Sequence, residues 1–278
     1  DPAQIDDYYS VCEARISSLM AMEQPGSPAA QREAVEMYQK VEKPFEVYPG
    51  MSSTILDYQN IMGFLVLLFC VVIAAPVFSA DYQSGADDIL RCTRHGRSKL
   101  AVSKLLAALF VSGAAFVICA TSHILVVNCL FGWECTKTSV QMLYSIVTLA
   151  GMNIGELQLL FALAGLLSVL ASVSFTLFLS SKCKTTVASL AAGLVFCIAP
   201  VVLSMTMPGN LSTWTCSILP ASGTSIQASI LYAITDFKFL NLGGLAIWTP
   251  YAMIGACIIE IPLFAFLAVR SYCGHTIR

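Results

Sequence analysis

Five apolar stretches of spanning length constrain this chain more than any other feature of its sequence. Each is close to the roughly twenty apolar residues with which an α-helix crosses the hydrocarbon core of a bilayer. Hydrophobic residues make up 57% of the chain and charged residues only 12%, which favours membrane spans over a soluble core. The stretches are Asn60 to Ser79, Leu105 to Phe131, Leu157 to Ser180, Val187 to Met207 and Pro250 to Val269. They predict an all-α integral membrane protein with five visible transmembrane helices.

The connections between these stretches differ in positive charge from one side of the membrane to the other. Connections that concentrate Lys and Arg stay on the cytoplasmic side. One side, with the C-terminal tail, holds nine: Arg91, Arg94, Arg97, Lys99, Lys104, Lys182, Lys184, Arg270 and Arg278. The two short connections on the other side hold only Lys137 and Lys238. The sequence therefore predicts a multi-pass cell-membrane protein with residue 1 extracellular and the C-terminus cytoplasmic.

Residues 1–56 are polar and are predicted to form an extracellular helical region. Ala3 to Met22 has apolar residues at helical spacing, residues 23–28 (EQPGSP) break the pattern, and Ala29 to Val41 resumes it. A helical hairpin of this size is marginal alone, so we expect it to pack on the transmembrane domain, residues 57–278. It is either a folded spacer between two spans or a substrate-binding lobe.

Two connections on the outer side are more apolar than ordinary exposed loops. Residues 139–151 and 218–248 are too short or too interrupted to cross the bilayer and carry few charges. Such segments are typical of interfacial or re-entrant helices, which are tolerated where their backbone is buried in protein. The alternative is that they cap the outer side at a subunit contact.

The cysteines and the known catalytic motifs contribute little. Cys135 and Cys216 lie on the outer side and are candidates for a disulfide, and no cysteine pair has the spacing of a zinc site. The sequence has no phosphate-binding loop, no H-E-x-x-H and no G-x-S-x-G. We therefore expect no enzymatic activity and no cofactor in this chain.

The polar segment between the first two stretches, residues 78–104, holds five of the basic residues. It begins with Asp81 and Gly85 and continues through Ile89 and Thr93 to a basic cluster. This pattern predicts a short helix at the membrane surface, available to a cytoplasmic partner.

The same segment resembles the stretch after the second span of bacterial ABC transporter permeases of the type-2 exporter family. The matching positions are Phe78, Asp81, Gly85, Ile89, Leu90, Thr93, Arg97, Leu100 and Lys104. Asp81 replaces the commoner Glu, and residues 94–96 stand where a Pro-containing turn is frequent. Residues 155–184 resemble the family's long fourth span. The Leu219-Pro220 step after the fifth span and the basic tail after the last span also agree with the family's pattern.

The resemblance implies a six-span half-transporter, with one span upstream of residue 1; a removed leader is the alternative. It implies a second permease subunit, the same chain or another, and two cytoplasmic ATPase subunits that bind ATP and Mg. Residues 80–104 would be the coupling helix, with Asp81, Arg94 and Arg97 touching the ATPase and Gly85 permitting close backbone approach. The alternative is that the basic residues only hold the topology and meet lipid headgroups. No nucleic-acid partner is expected.

Glu260 is the other residue of interest, because it lies near the middle of the last predicted span. An acidic group there costs several kcal/mol unless it is paired, protonated or facing water. His123 lies at about the same depth and is a candidate partner. Glu260, His123 and Asn128 are therefore pathway candidates, and a structural hydrogen bond between helices is the alternative for Glu260.

The preferred interpretation is the permease subunit of an ABC exporter of an amphipathic substrate, with peptide antibiotics, drugs, lipids and ions all open. The alternative is a membrane anchor or sensor that does not transport, whose ATPase drives mechanical or signalling work. Export predicts a continuous polar or amphipathic cavity that reaches Glu260 or the subunit interface, and an anchor or sensor predicts a sealed core.

Overall fold

The chain folds into a bundle of long helices in a computed structural model, which describes residues 2–86, 89–90, 98–207, 209–242 and 244–274. The helices used below are α1 Pro2–Glu23, α2 Pro28–Gln39, α3 Ser53–Ala74, α4 Pro76–Ser84, α5 Ser98–Phe131, α6 Val140–Leu143, α7 Ile154–Lys182, α8 Thr186–Thr206, α9 Asn210–Ile218, α10 Ile230–Thr235 and α11 Thr249–Gly274. Within these residues, five spans are long and apolar enough to cross a membrane: α3 with α4, α5, α7, α8 and α11. The prediction of a multi-pass helical membrane protein is confirmed.

Local sequence signals fix the ends of the spans. Asn153 and Glu156 form a capping box at the start of α7, in which each side chain accepts a hydrogen bond from the other residue's backbone N–H, at 2.9 and 3.1 Å. Thr185 caps α8 by accepting from the N–H of Ala188. Only three residues separate α7 from α8, so the two helices form an antiparallel pair.

Helix α7 is the centre of the bundle and contacts all the other spans. In its most apolar stretch 56% of the residues are buried, against 22% in α8 and in α11. Its buried face carries four hydroxyl side chains at four-residue intervals, namely Ser168, Ser172, Thr176 and Ser180. Hydroxyls are therefore concentrated where the bundle excludes lipid.

The predicted helical hairpin is present as α1 and α2 and covers one end of the bundle, called here the hairpin end. Ser27 starts α2 by accepting from the N–H of Ala30. Tyr38 is fully buried and donates to the carbonyl oxygen of Ile146 at 3.1 Å, and burial raises the pKa of its phenol. One apolar cluster includes residues from both hairpin helices, residues 140–150 and the adjoining parts of α7 and α11.

The connection 139–151 is not the interfacial helix that its apolar character predicted. Only α6, a single turn, is helical. The rest is held by Gln141, whose side-chain amide donates to the carbonyl oxygens of Thr148 and Ala150 at 3.1 and 2.7 Å. Because the buried backbone finds these partners, no longer helix is needed.

The connection 218–248 contains only short elements, including α10, and it adds a feature that the all-α prediction missed. Strands β1 Phe239–Leu242 and β2 Leu245–Trp248 form an antiparallel hairpin in which Phe239 pairs with Trp248. Gly244 has a φ of 107°, which suits the turn between them. Before the hairpin, residues 220–225 form a fully buried turn with a 3₁₀ segment at Ser222–Thr224. This turn fits the re-entrant alternative, although it is not a helix.

Candidate functional site

The predicted coupling segment leaves the bundle at the end opposite the hairpin, called here the loop end. Asp81 on α4 forms an ion pair with Lys104 on α5, and Lys104 also donates to the carbonyl oxygen of Val77 at 3.2 Å. The two side chains are only 14% and 26% exposed, for Asp81 and Lys104 respectively. Two predicted coupling residues are therefore brought together, but their charges pair with each other inside the chain.

Gly85 ends α4 with a φ of 70°, and the left-handed conformation that ends a helix favours glycine. Within the chain, a Cβ at this position would meet nothing within 4 Å. Close approach to a partner subunit stays a prediction. Ile89 is 74% exposed. Thr93, Arg94 and Arg97 lie outside the residues that the structure describes.

Hydrogen bonds that the sequence did not predict hold helix α4 against the bundle. Pro76 interrupts the helical hydrogen bonds where α3 meets α4. The hydroxyl of Ser180 fills this break: it accepts from the N–H groups of Phe78 and Ser79 at 3.1 and 3.0 Å and donates to the carbonyl oxygen of Ala75 at 2.7 Å. The signal in the sequence is the proline within an apolar run, but nothing there identifies Ser180 as its partner.

The tip of α4 also contacts α7, α8 and α11. The hydroxyl of Tyr82 donates to the carbonyl oxygen of Ser181 at 3.4 Å, and its ring stacks on Tyr272 with the centroids 6.0 Å apart. The side-chain oxygen of Gln83 accepts from both the N–H and the hydroxyl of Thr186. A displacement of the tip of α4 would therefore act on three other spans.

The three pathway candidates do not form one site. Asn128 and Gln158 form a buried reciprocal amide pair, with hydrogen bonds of 3.1 and 3.3 Å, so Asn128 joins α5 to α7. In the described part of the chain no hydrogen bond or ion pair joins His123 to Glu260, so the predicted pairing is wrong. Within the described residues, Nε2 of His123 and Oε2 of Glu260 are both buried without a partner.

The predicted disulfide is wrong too, because the two cysteines lie in separate environments. Both are free thiols. The sulfur of Cys135 lies 3.0 Å from the carbonyl oxygens of both Pro49 and Phe131, between which its single S–H is shared. Cys216 lies 3.6 Å from the carbonyl oxygen of Pro200, and burial raises the pKa of its thiol.

A cavity of about 310 Å³ lies at the hairpin end. Its walls include Glu23 at the tip of α1 together with Cys216 and Ser229. On α11 it is lined by Thr249 and Met253 and stops about two turns short of Glu260.

The charges at this cavity are mostly paired. Asp236 and Lys238 form an ion pair at 2.8 Å, with both side chains exposed. Tyr232, which lines the cavity, donates from its hydroxyl to the carboxylate of Asp57 at 3.2 Å. Burial raises the pKa of Tyr232, so the phenol remains protonated and keeps this hydrogen bond. The combination of apolar, polar and acidic groups suits a small amphipathic ligand.

The Asp81–Lys104 pair should contribute measurably to stability because it is largely shielded from water. We expect a double-mutant cycle with Asp81→Asn and Lys104→Met to give a coupling energy of about 1 kcal/mol. The exposed Asp236–Lys238 pair, mutated in the same way, provides the control and should couple by less than about 0.3 kcal/mol. Thermal unfolding of the purified variants measures both, and equal coupling energies would contradict the shielding argument.

Within the described residues, no group of three or more His, Cys, Asp and Glu side chains could hold a metal ion. No family model, no curated protein and no solved structure matches the chain.

Proposed function

We propose that this chain is the permease subunit of an ATP-driven exporter that resembles the type-2 ABC family. Residue 1 then faces outward and the loop end is cytoplasmic. The chain pairs with a second permease subunit and with two ATPase subunits, which bind ATP and Mg. The substrate is amphipathic.

The observation that carries this proposal is the attachment of α4. At 1.5 Å per residue the 32 residues of α3 and α4 extend about 48 Å, whereas the hydrocarbon core is about 30 Å thick. Part of this helical unit must therefore lie beyond the hydrocarbon core. Its tip is joined to α5, α7, α8 and α11 by side-chain contacts and leads directly into the basic segment. Such an element can transmit a force from a partner at the loop end to most of the bundle.

The direct test is to purify the tagged chain from membranes of its source organism and to identify the proteins that co-elute in constant ratio. We expect an ATPase subunit with a phosphate-binding loop, because this chain has none. Reconstituted with that ATPase, the complex should move an amphipathic fluorescent substrate across vesicles only when ATP is present. Recovery of the chain without any ATPase, at several detergent strengths, would contradict the proposal.

A second candidate is a sensor subunit that does not transport, and the cavity favours it. The cavity lies against the tip of the external hairpin and ends above the middle of the bundle, so a ligand there would meet α1 and α11 together. In the reconstituted complex, a sensor would change the ATPase rate when ligand is added without any flux of the ligand. An exporter would show both.

A further inference from the structure

The buried turn at residues 220–225 enters the bundle between two spans. Ser168, the middle residue of α7, donates to the carbonyl oxygen of Pro220 at 2.7 Å. A Cβ on Gly223 would be 2.8 Å from the Cβ of Ser168, so only glycine allows this approach. On the other side, a Cβ on Gly63 of α3 would be 3.7 Å from a methyl group of Thr224. Irregular backbone is therefore held at the depth of the centre of α7.

Oxygen atoms without partners surround this turn. The side-chain amide of Asn60 donates to the carbonyl oxygens of Ser225 and Ile226 at 3.3 and 3.4 Å. Both of these partners are acceptors, so the amide nitrogen of Asn60 must point toward them. The amide oxygen, Oδ1, therefore points elsewhere. Within the described residues, Asn60 Oδ1, Ser222 Oγ and Thr224 Oγ1 have no hydrogen-bond partner, and all three residues are at most 1% exposed. Leaving such groups unpaired costs about 1–3 kcal/mol each.

Glu260 brings a carboxyl group to the same level. Helices α7 and α11 run in parallel, with Ser271 donating to the carbonyl oxygen of Ser181 at 3.3 Å and with the rings of Phe264 and Phe175 4.9 Å apart. Extending this register places Glu260 beside residues 170–171, less than one helical turn from Ser168. Helix α11 also contacts the 3₁₀ segment of the turn.

We propose that Asn60, Ser222, Thr224 and Glu260 form a binding site for a monovalent metal cation such as sodium. Neutral hydroxyl and amide oxygens replace the hydration shell of such an ion, and breaks in membrane helices provide such ligands in transporters. When ionised, the single carboxylate of Glu260 balances one positive charge and does not balance two. The site does not depend on the proposed function.

The route of entry runs from the cavity at the hairpin end. Ser229 lines that cavity, is fully buried and has an Oγ without a partner within the described residues. It lies four residues beyond Ser225, the last residue of the buried turn. A cation that enters the cavity therefore meets a further free oxygen on its way to Thr224.

The test is equilibrium binding of radioactive sodium to the purified full chain, together with thermal unfolding in sodium, potassium, lithium or choline chloride at constant ionic strength. We expect saturable binding of at least one of the metal cations and a higher unfolding temperature in its salt than in choline. Thr224→Val removes one ligand oxygen and should weaken binding by about tenfold or more. Glu260→Gln should weaken binding as well.

The matched control is Thr176→Val, another threonine that is 1% exposed but whose hydroxyl already donates to the carbonyl oxygen of Ser172 at 2.8 Å. It should leave the affinity for the cation unchanged. If Thr224→Val does not fold, Ser222→Ala tests the same site. The proposal is overturned if no metal cation binds saturably and the unfolding temperature in choline chloride equals that in the metal chlorides. That result would mean that the turn holds only water. Equal losses in Thr224→Val and Thr176→Val would overturn it too.

Discussion

Replacing Ser180 by alanine is expected to destabilise the protein by about 3 kcal/mol. The hydroxyl is fully buried and is the acceptor for the N–H groups of Phe78 and Ser79 in the break at Pro76. Without it both groups lose this acceptor where water cannot reach them. Thermal or denaturant-induced unfolding of the purified protein in one detergent measures the loss.

Ser174→Ala provides the control on the same helix. Ser174 is also fully buried, but its hydroxyl only donates to the carbonyl oxygen of Leu170 in its own helix, at 2.8 Å. Its removal leaves no N–H group without an acceptor and should lower the free energy of unfolding by less than about 1 kcal/mol. If the two variants lose the same stability, Ser180 does not stabilise the junction of α3 and α4 in the way the geometry indicates.

Reversing the charge of Arg97 is expected to separate ATP hydrolysis from the membrane subunit. Under the proposed function, residues 80–104 meet an ATPase, and a like-charge contact at such an interface costs several kcal/mol. Arg97→Glu should therefore weaken ATPase binding by about tenfold or more, with a reduced dependence on salt, while insertion into the membrane is unchanged. The measurement is the amount of ATPase retained on the purified variant at matched expression, across a salt series.

Arg32→Glu makes the same change of charge on α2, at the hairpin end, and should retain the ATPase fully. Wild-type retention and ATPase stimulation in Arg97→Glu would remove the coupling role and leave Arg97 as a determinant of topology. Loss of ATPase in both variants would point to misfolding instead.

The spans could be predicted from the sequence because hydropathy is a property of each segment by itself. About twenty apolar residues in a row are enough to predict a spanning helix. The capping box of Asn153 and Glu156 was equally local, and so was the breaker between α1 and α2. The pairing of His123 with Glu260 was wrong because depth along a helix does not tell which face a residue occupies.

The sequence by itself therefore determined five spanning helices, a helical hairpin and a basic segment between the first two spans. The tertiary structure alone decided that Asp81 binds Lys104, that Ser180 supports the break at Pro76, and that residues 220–225 enter the bundle. Each of these contacts joins residues that are far apart in sequence, 105 positions in the case of Ala75 and Ser180. In an apolar helix the faces toward lipid and toward protein have similar composition, so the sequence does not reveal which face is buried. Buried polar groups must find partners, and the register of the packed helices decides which partners they find.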